Sequence, residues 1–160
     1  HQAGAAATPG GAWAPRVFDA RQNDTVAALS ELIIPETETP GARAALVNRF
    51  IDSVLEAATA GDRKAFLDGL AWMDARSRAL FGKDVLSSAP GEQTELLTRL
   101  SSEERRGAEE PAGVQFFESL KGLTITGYYS TPIGLRQELG DDGQMVLAEF
   151  KGCEHEREHW

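Results

Sequence analysis

Apolar side chains recur every third or fourth residue through most of this chain, the spacing that gives an α-helix one buried face. Between residues 19 and 34 the stripe is Val26, Leu29, Leu32 and Ile33, with Asn23 as the expected N-cap and Pro35 as the stop. Pro35 and Pro40 bracket a turn, and a second helix is expected over 41–59, its broad apolar face carrying Leu46, Val47, Phe50, Ile51, Val54 and Leu55. Asp62 is the expected cap of a third helix that runs to Phe81 through Phe66, Leu67, Leu70, Met73, Ser77 and Leu80. Gly82 supplies the left-handed residue that ends it. A fourth helix starts near Ser88, takes Pro90 in its first turn and buries Leu96, Leu97 and Leu100.

Residues 101–113 are dense in charge and read as a surface connector. Thr124, Ile125 and Thr126 lean towards strand, but the spacing of Phe116, Phe117, Leu120 and Leu123 predicts a fifth helix over 114–129. Ser130 then caps a short helix over 131–139, with Pro132 in its first turn and Gly140 after it. Beyond Asp141 the helical period fails, and 145–150 is expected to lie extended against the body or a partner. The pattern predicts an all-α single domain of five or six helices over 17–140. A flexible, Ala/Gly/Pro-rich arm precedes it over 1–16, and a non-helical, partner-contacting tail follows over 141–160.

Composition narrows the function. The net charge of −9 and pI near 4.8 argue against a phosphate-binding surface and against docking on an anionic membrane. No apolar run approaches the roughly 18 residues that span a bilayer. The chain begins at His1, and its small-residue opening resembles what remains after an export signal is removed. Cys153 is the single cysteine, and in an exported protein an odd cysteine points to pairing with another chain.

Candidate chemistry is sparse. His155-Glu156-Arg157-Glu158-His159 matches the H-E-x-x-H zinc pattern, but Trp160 ends the chain before a helix could continue or a third ligand follow. His1, the other histidine, could chelate copper as an N-terminal residue does in β-sandwich oxidative enzymes, but the helical pattern of this chain does not offer that fold. No dinucleotide or phosphate loop and no haem-attachment motif occurs, so no catalytic, cofactor-binding or metal-binding residue is assigned. Large amphipathic groups do gather towards the C-terminus: Tyr128, Tyr129, Phe150 and Trp160, near Cys153, are candidate interface residues. For the two tyrosines a place in the core or at its edge is the equally weighted alternative.

Particular residues carry a resemblance. Leu123-Thr124 followed by Gly127-Tyr128-Tyr129-Ser130 and Gly134 reads as L-T-x-x-G-Y-Y-[ST]-x-x-x-G, and the Gly152-Cys153 pair lies downstream. Upstream stand Leu32-Ile33-Ile34-Pro35 with Pro40-Gly41-Ala42, then Phe66-Leu67, Gly69-Leu70, Asp74-Ala75-Arg76-Ser77-Arg78 and Phe81-Gly82. Together, over about residues 17–153, they resemble the gluconate 2-dehydrogenase subunit 3 family; residues 138–142 lack the Asn/Pro-rich turn usual there. The resemblance implies a non-catalytic small subunit of a periplasmic sugar or polyol dehydrogenase. Its large partner would be an FAD-containing flavoprotein of the glucose-methanol-choline (GMC) type, with haem c in a possible third subunit. The small subunit of such a complex bears a twin-arginine signal and escorts the folded partner across the membrane. Cys153 would form an inter-subunit disulfide. Two other readings compete: a stand-alone periplasmic binding domain, and a metal-dependent enzyme using His155 and His159.

Overall fold

The computed structural model describes residues 12–138, and all regular structure among them is helical. Helix α1 spans Ala20–Ile33, α2 Val47–Ala57, α3 Ala60–Phe81, α4 Pro90–Ser101 and α5 Pro111–Tyr129. A 3-10 turn, Arg106–Ala108, precedes α5, and a π-helical turn, Ile133–Glu138, follows it. The tail residues 141–160 lie outside the described residues, as does most of the arm.

Helix starts depart from the sequence expectation for local reasons. Asp19, not Asn23, caps α1: its carboxylate accepts from the Gln22 amide at 2.7 Å, and the Gln22 side chain accepts from the Asp19 amide at 2.9 Å. Asn23 instead accepts from the Asn48 side chain at 2.8 Å, tying α1 to α2. Thr59, not Asp62, caps α3; Asp62 is the third residue in and returns its carboxylate to the Thr59 hydroxyl at 2.7 Å.

Helix α2 begins six residues later than the pattern predicts. Residues 41–46 make turns, because Glu31 of α1 accepts from the amides of Glu36 at 2.9 Å and Arg43 at 2.7 Å. Leu46 then sits at φ 56°, a left-handed conformation costly to a residue with a Cβ, and its side chain is exposed rather than on the apolar face. After α5, Ser130 closes that helix by donating to the Thr126 carbonyl at 2.6 Å, and Thr131 accepts the Gly134 amide at 3.2 Å. The expected short α-helix capped by Ser130 is therefore a π-helical turn led by Thr131. The charged connector is also less superficial than it reads. The Glu109 side chain, 4% exposed, accepts from two Arg76 nitrogens at 2.8 and 2.9 Å.

The core gathers Val26 and Leu29 of α1, Ile51 of α2, Met73 of α3, Leu96 and Leu100 of α4, and Leu120 and Tyr128 of α5. Helix α5 packs against each of the other four helices. It lies antiparallel to α3, since Gly69 meets Phe116 while Trp72, one turn on, meets Gly113, one turn back. Glycine lets the two backbones approach so closely that a Cβ at either position would overlap the facing ring. Phe18, Phe66 and Phe116 continue the seam, with ring centroids 6.0 and 5.0 Å apart. The segment before α1 is fastened at its base. Asp52 of α2, itself buried, accepts from the amides of Arg16, Val17 and Phe18 at 2.8, 3.0 and 3.0 Å. Trp13 lies 4.8 Å from the Arg49 guanidinium.

Candidate interaction surface

The two tyrosines proposed as interface residues have different surroundings. Tyr128 is 1% exposed and donates its hydroxyl to the Pro40 carbonyl at 2.6 Å, which is the core placement that the sequence left open. On the surface of this chain it offers nothing to a partner. Tyr129 is half-buried, edge-on to Tyr128 at 5.2 Å. Phe150, Cys153, Trp160 and the histidines His1, His155 and His159 lie outside the described residues.

Among the described residues, no group of three or more His, Cys, Asp or Glu side chains is placed to hold a metal ion. Nor is any helix there long and apolar enough to cross a membrane. A small hollow of about 150 Å³ beside Arg21 and Asp74 is a structural clasp. The Arg21 guanidinium reaches Asp74 at 3.0 Å and Asp84 at 3.1 Å, and the charge of Asp74 above all holds it protonated beyond the ordinary arginine range. Asp74 also accepts from the Val85 amide at 3.0 Å, so these charges are spent on fastening α1 and α3 to the loop before α4.

A second, larger concavity is of another kind. A half-open trough of about 850 Å³ runs between α3 and α5, and Val54 of α2 and Ala58, the residue after that helix, also line it. Leu55, Phe66 and Phe116, all buried, make its floor. One wall is the α3 face of Asp62, Ala65, Gly69 and Trp72; the other is the α5 face of Ala112, Gln115, Ser119 and Gly122. Both follow the same three-four-three spacing, which keeps four residues in line along a helix. Ten residues of rise make each wall about 15 Å long, roughly three helical turns.

Two properties give the trough its chemistry. Between Asp62 and Trp72 its walls are mostly small residues, and among the described residues a Cβ added at Gly122 would meet nothing within 4 Å. Its charged lining is wholly acidic: Asp62, Asp68 and Glu118. Lys64 pairs with Asp68 at 2.5 Å, and Arg106 approaches Glu118 at 3.9 Å, but all four side chains are exposed and such pairs are weak. The indole nitrogen of Trp72 donates to Glu110 at 2.9 Å, holding the ring across the far end.

The sequence reading missed this surface. It followed the large apolar stripe of each helix and passed over the adjoining rows of small residues. The small residues Ala65 and Gly69 on one helix, and Ala112, Ser119 and Gly122 on another, each set on one helical face, are the signal that would have found it.

The family described as gluconate 2-dehydrogenase subunit 3 matches residues 20–142. No curated protein matches the chain, and no solved structure does.

Proposed function

This chain belongs to the gluconate 2-dehydrogenase subunit 3 family, and from that premise we propose that it is the non-catalytic small subunit of an FAD-dependent sugar or polyol dehydrogenase. The observation that carries the reading is the membership itself, which spans α1 to α5 and so involves the whole described helical body. The flavin is assigned to a partner subunit, because this chain carries no Gly-rich dinucleotide loop, and the resemblance implies that this partner is a large flavoprotein of the GMC type. A cytochrome c subunit would accept the electrons. The small subunit stabilises the flavoprotein and escorts it, folded, into the periplasm by the twin-arginine route. Cys153 closes an inter-subunit disulfide.

Purification of the native complex through a tag on this chain tests the proposal. The expected result is a yellow preparation with a flavin absorption band, and a large companion that leaves this chain on a denaturing gel only after reduction. A colourless chain recovered alone would overturn the subunit role. A flavoprotein companion that separates without reductant would overturn the disulfide and leave the role standing.

A further inference from the structure

We infer that the trough between α3 and α5 seats an apolar helical segment of the large flavoprotein subunit, about three turns long and carrying lysine or arginine along its flanks. The inference rests on the small-subunit reading above and says which surface performs it. Helix α5 holds three glycines inside its length, and two of them are filled by the protein's own rings: Gly113 by Trp72 and Gly127 by Phe50. Gly122 sits at the twelfth position of a nineteen-residue helix, faces the trough and meets nothing among the described residues. Glycine in a helix interior weakens the helix relative to alanine, and here the fold itself takes no packing in return.

The two walls have the geometry of a helix pair awaiting a third. Ala65 and Gly69 on α3, with Ala112, Ser119 and Gly122 on α5, lower the rims between Asp62 and Trp72, so that a guest helix can approach α3 and α5 at ordinary interaxial distance. Its large side chains would then reach the Phe66 and Phe116 floor. A length of about 15 Å admits roughly ten guest residues.

Charge decides which chain supplies the guest. Residues 139–160 of this protein hold six acids (Asp141, Asp142, Glu149, Glu154, Glu156 and Glu158) against Lys151 and Arg157, so an acidic lining repels them. Residues 1–11 contain no Val, Leu, Ile or aromatic side chain to fill an apolar floor. A second copy with net charge −9 would bring the same acids face to face. The complementary occupant is therefore another protein with bases beside its apolar face, and the one that the proposed function supplies is the flavoprotein.

The test uses the full chain in the Cys153→Ser background, so that a covalent link cannot conceal a lost contact. Ala65→Trp and Ser119→Trp fill the trough from its two exposed walls. Asp68→Lys with Glu118→Lys reverses its charge. Affinity for the co-purifying flavoprotein is expected to fall at least about thirtyfold for each of these variants, the size of a central hot-spot loss. The thermal unfolding of the isolated small subunit should hardly move. A photocrosslinking residue at Gln115 is expected to label an apolar, Lys- or Arg-bearing helical peptide of the flavoprotein. Wild-type affinity in the filled and reversed variants, or a crosslink to this chain itself, overturns the trough as the docking site while leaving the subunit role intact. A parent chain that binds no flavoprotein overturns both.

Discussion

The seam between α3 and α5 and the trough beside it are built from the same two helices and the same kinds of residue, yet they use small side chains to opposite ends. In the seam, Gly69 and Gly113 are roofed by Phe116 and Trp72, and the space they vacate is filled from within the chain. In the trough, Ala65, Ala112, Ser119 and Gly122 remain uncovered. A small residue under an aromatic ring stabilises the fold by letting two backbones close up. One left open gives the fold nothing and shapes a space for something else. The contrast separates residues that hold the body together from residues that are free to serve a partner, and it can be broken by substitution.

The largest effect is expected at Gly69. A Cβ there would overlap both the ring and the Cβ of buried Phe116, which cannot move without moving the backbone of α5. Overpacking costs about 1–3 kcal/mol or more, and alanine's helix propensity returns up to about 1. Gly69→Ala should therefore lose about 2 kcal/mol in denaturant unfolding with an unchanged slope. Full wild-type stability would mean that the seam is looser than its contacts indicate.

Gly127→Ala should cost less, about 1 kcal/mol. The neighbour 2.6 Å from its added Cβ is the ring of Phe50, which is only half-buried and can swing aside. A loss as large as that at Gly69 would place Phe50 among the immobile core. Tyr128→Phe follows at about 1 kcal/mol, for removing the hydroxyl from the Pro40 carbonyl and leaving that acceptor unpaired. A smaller loss by thermal melting would show that water reaches Pro40.

Tyr128 also shows where the sequence stops informing. Its partner lies 88 residues away in the chain, so nothing local separates a core tyrosine from an interface tyrosine. Large apolar periodicity revealed α1, α3, α4 and α5 to within a few residues, because burial of such side chains dominates helix packing. The start of α2 was hidden, since Glu31 reaches across from α1 to take amides that an isolated helix would have kept. Asn23 and Asp62 are good capping residues by type, but Asp19 and Thr59 precede them by three or more positions and hold the free amides first. The trough was invisible for a plainer reason. A row of Ala, Gln, Ser and Gly reads as ordinary helix surface until another helix with Ala65 and Gly69 on its facing side is folded beside it.

The smallest effect, and the one of opposite sign, is expected at Gly122. Alanine there adds a methyl group into open space and removes the conformational freedom that glycine brings to the unfolded chain, so Gly122→Ala should stabilise the isolated subunit by about 0.5–1 kcal/mol. The same methyl group narrows the trough where a guest backbone would pass closest. A variant that melts higher yet holds its flavoprotein less tightly would show that α5 keeps its open glycine for the partner, at the expense of its own stability. If Gly122→Ala melts higher and binds as before, the guest rides above this point, and the contact must be sought nearer the Trp72 end. If it melts lower, Gly122 has a neighbour in solution, and the division between covered and open small residues fails at the position where it is drawn most sharply.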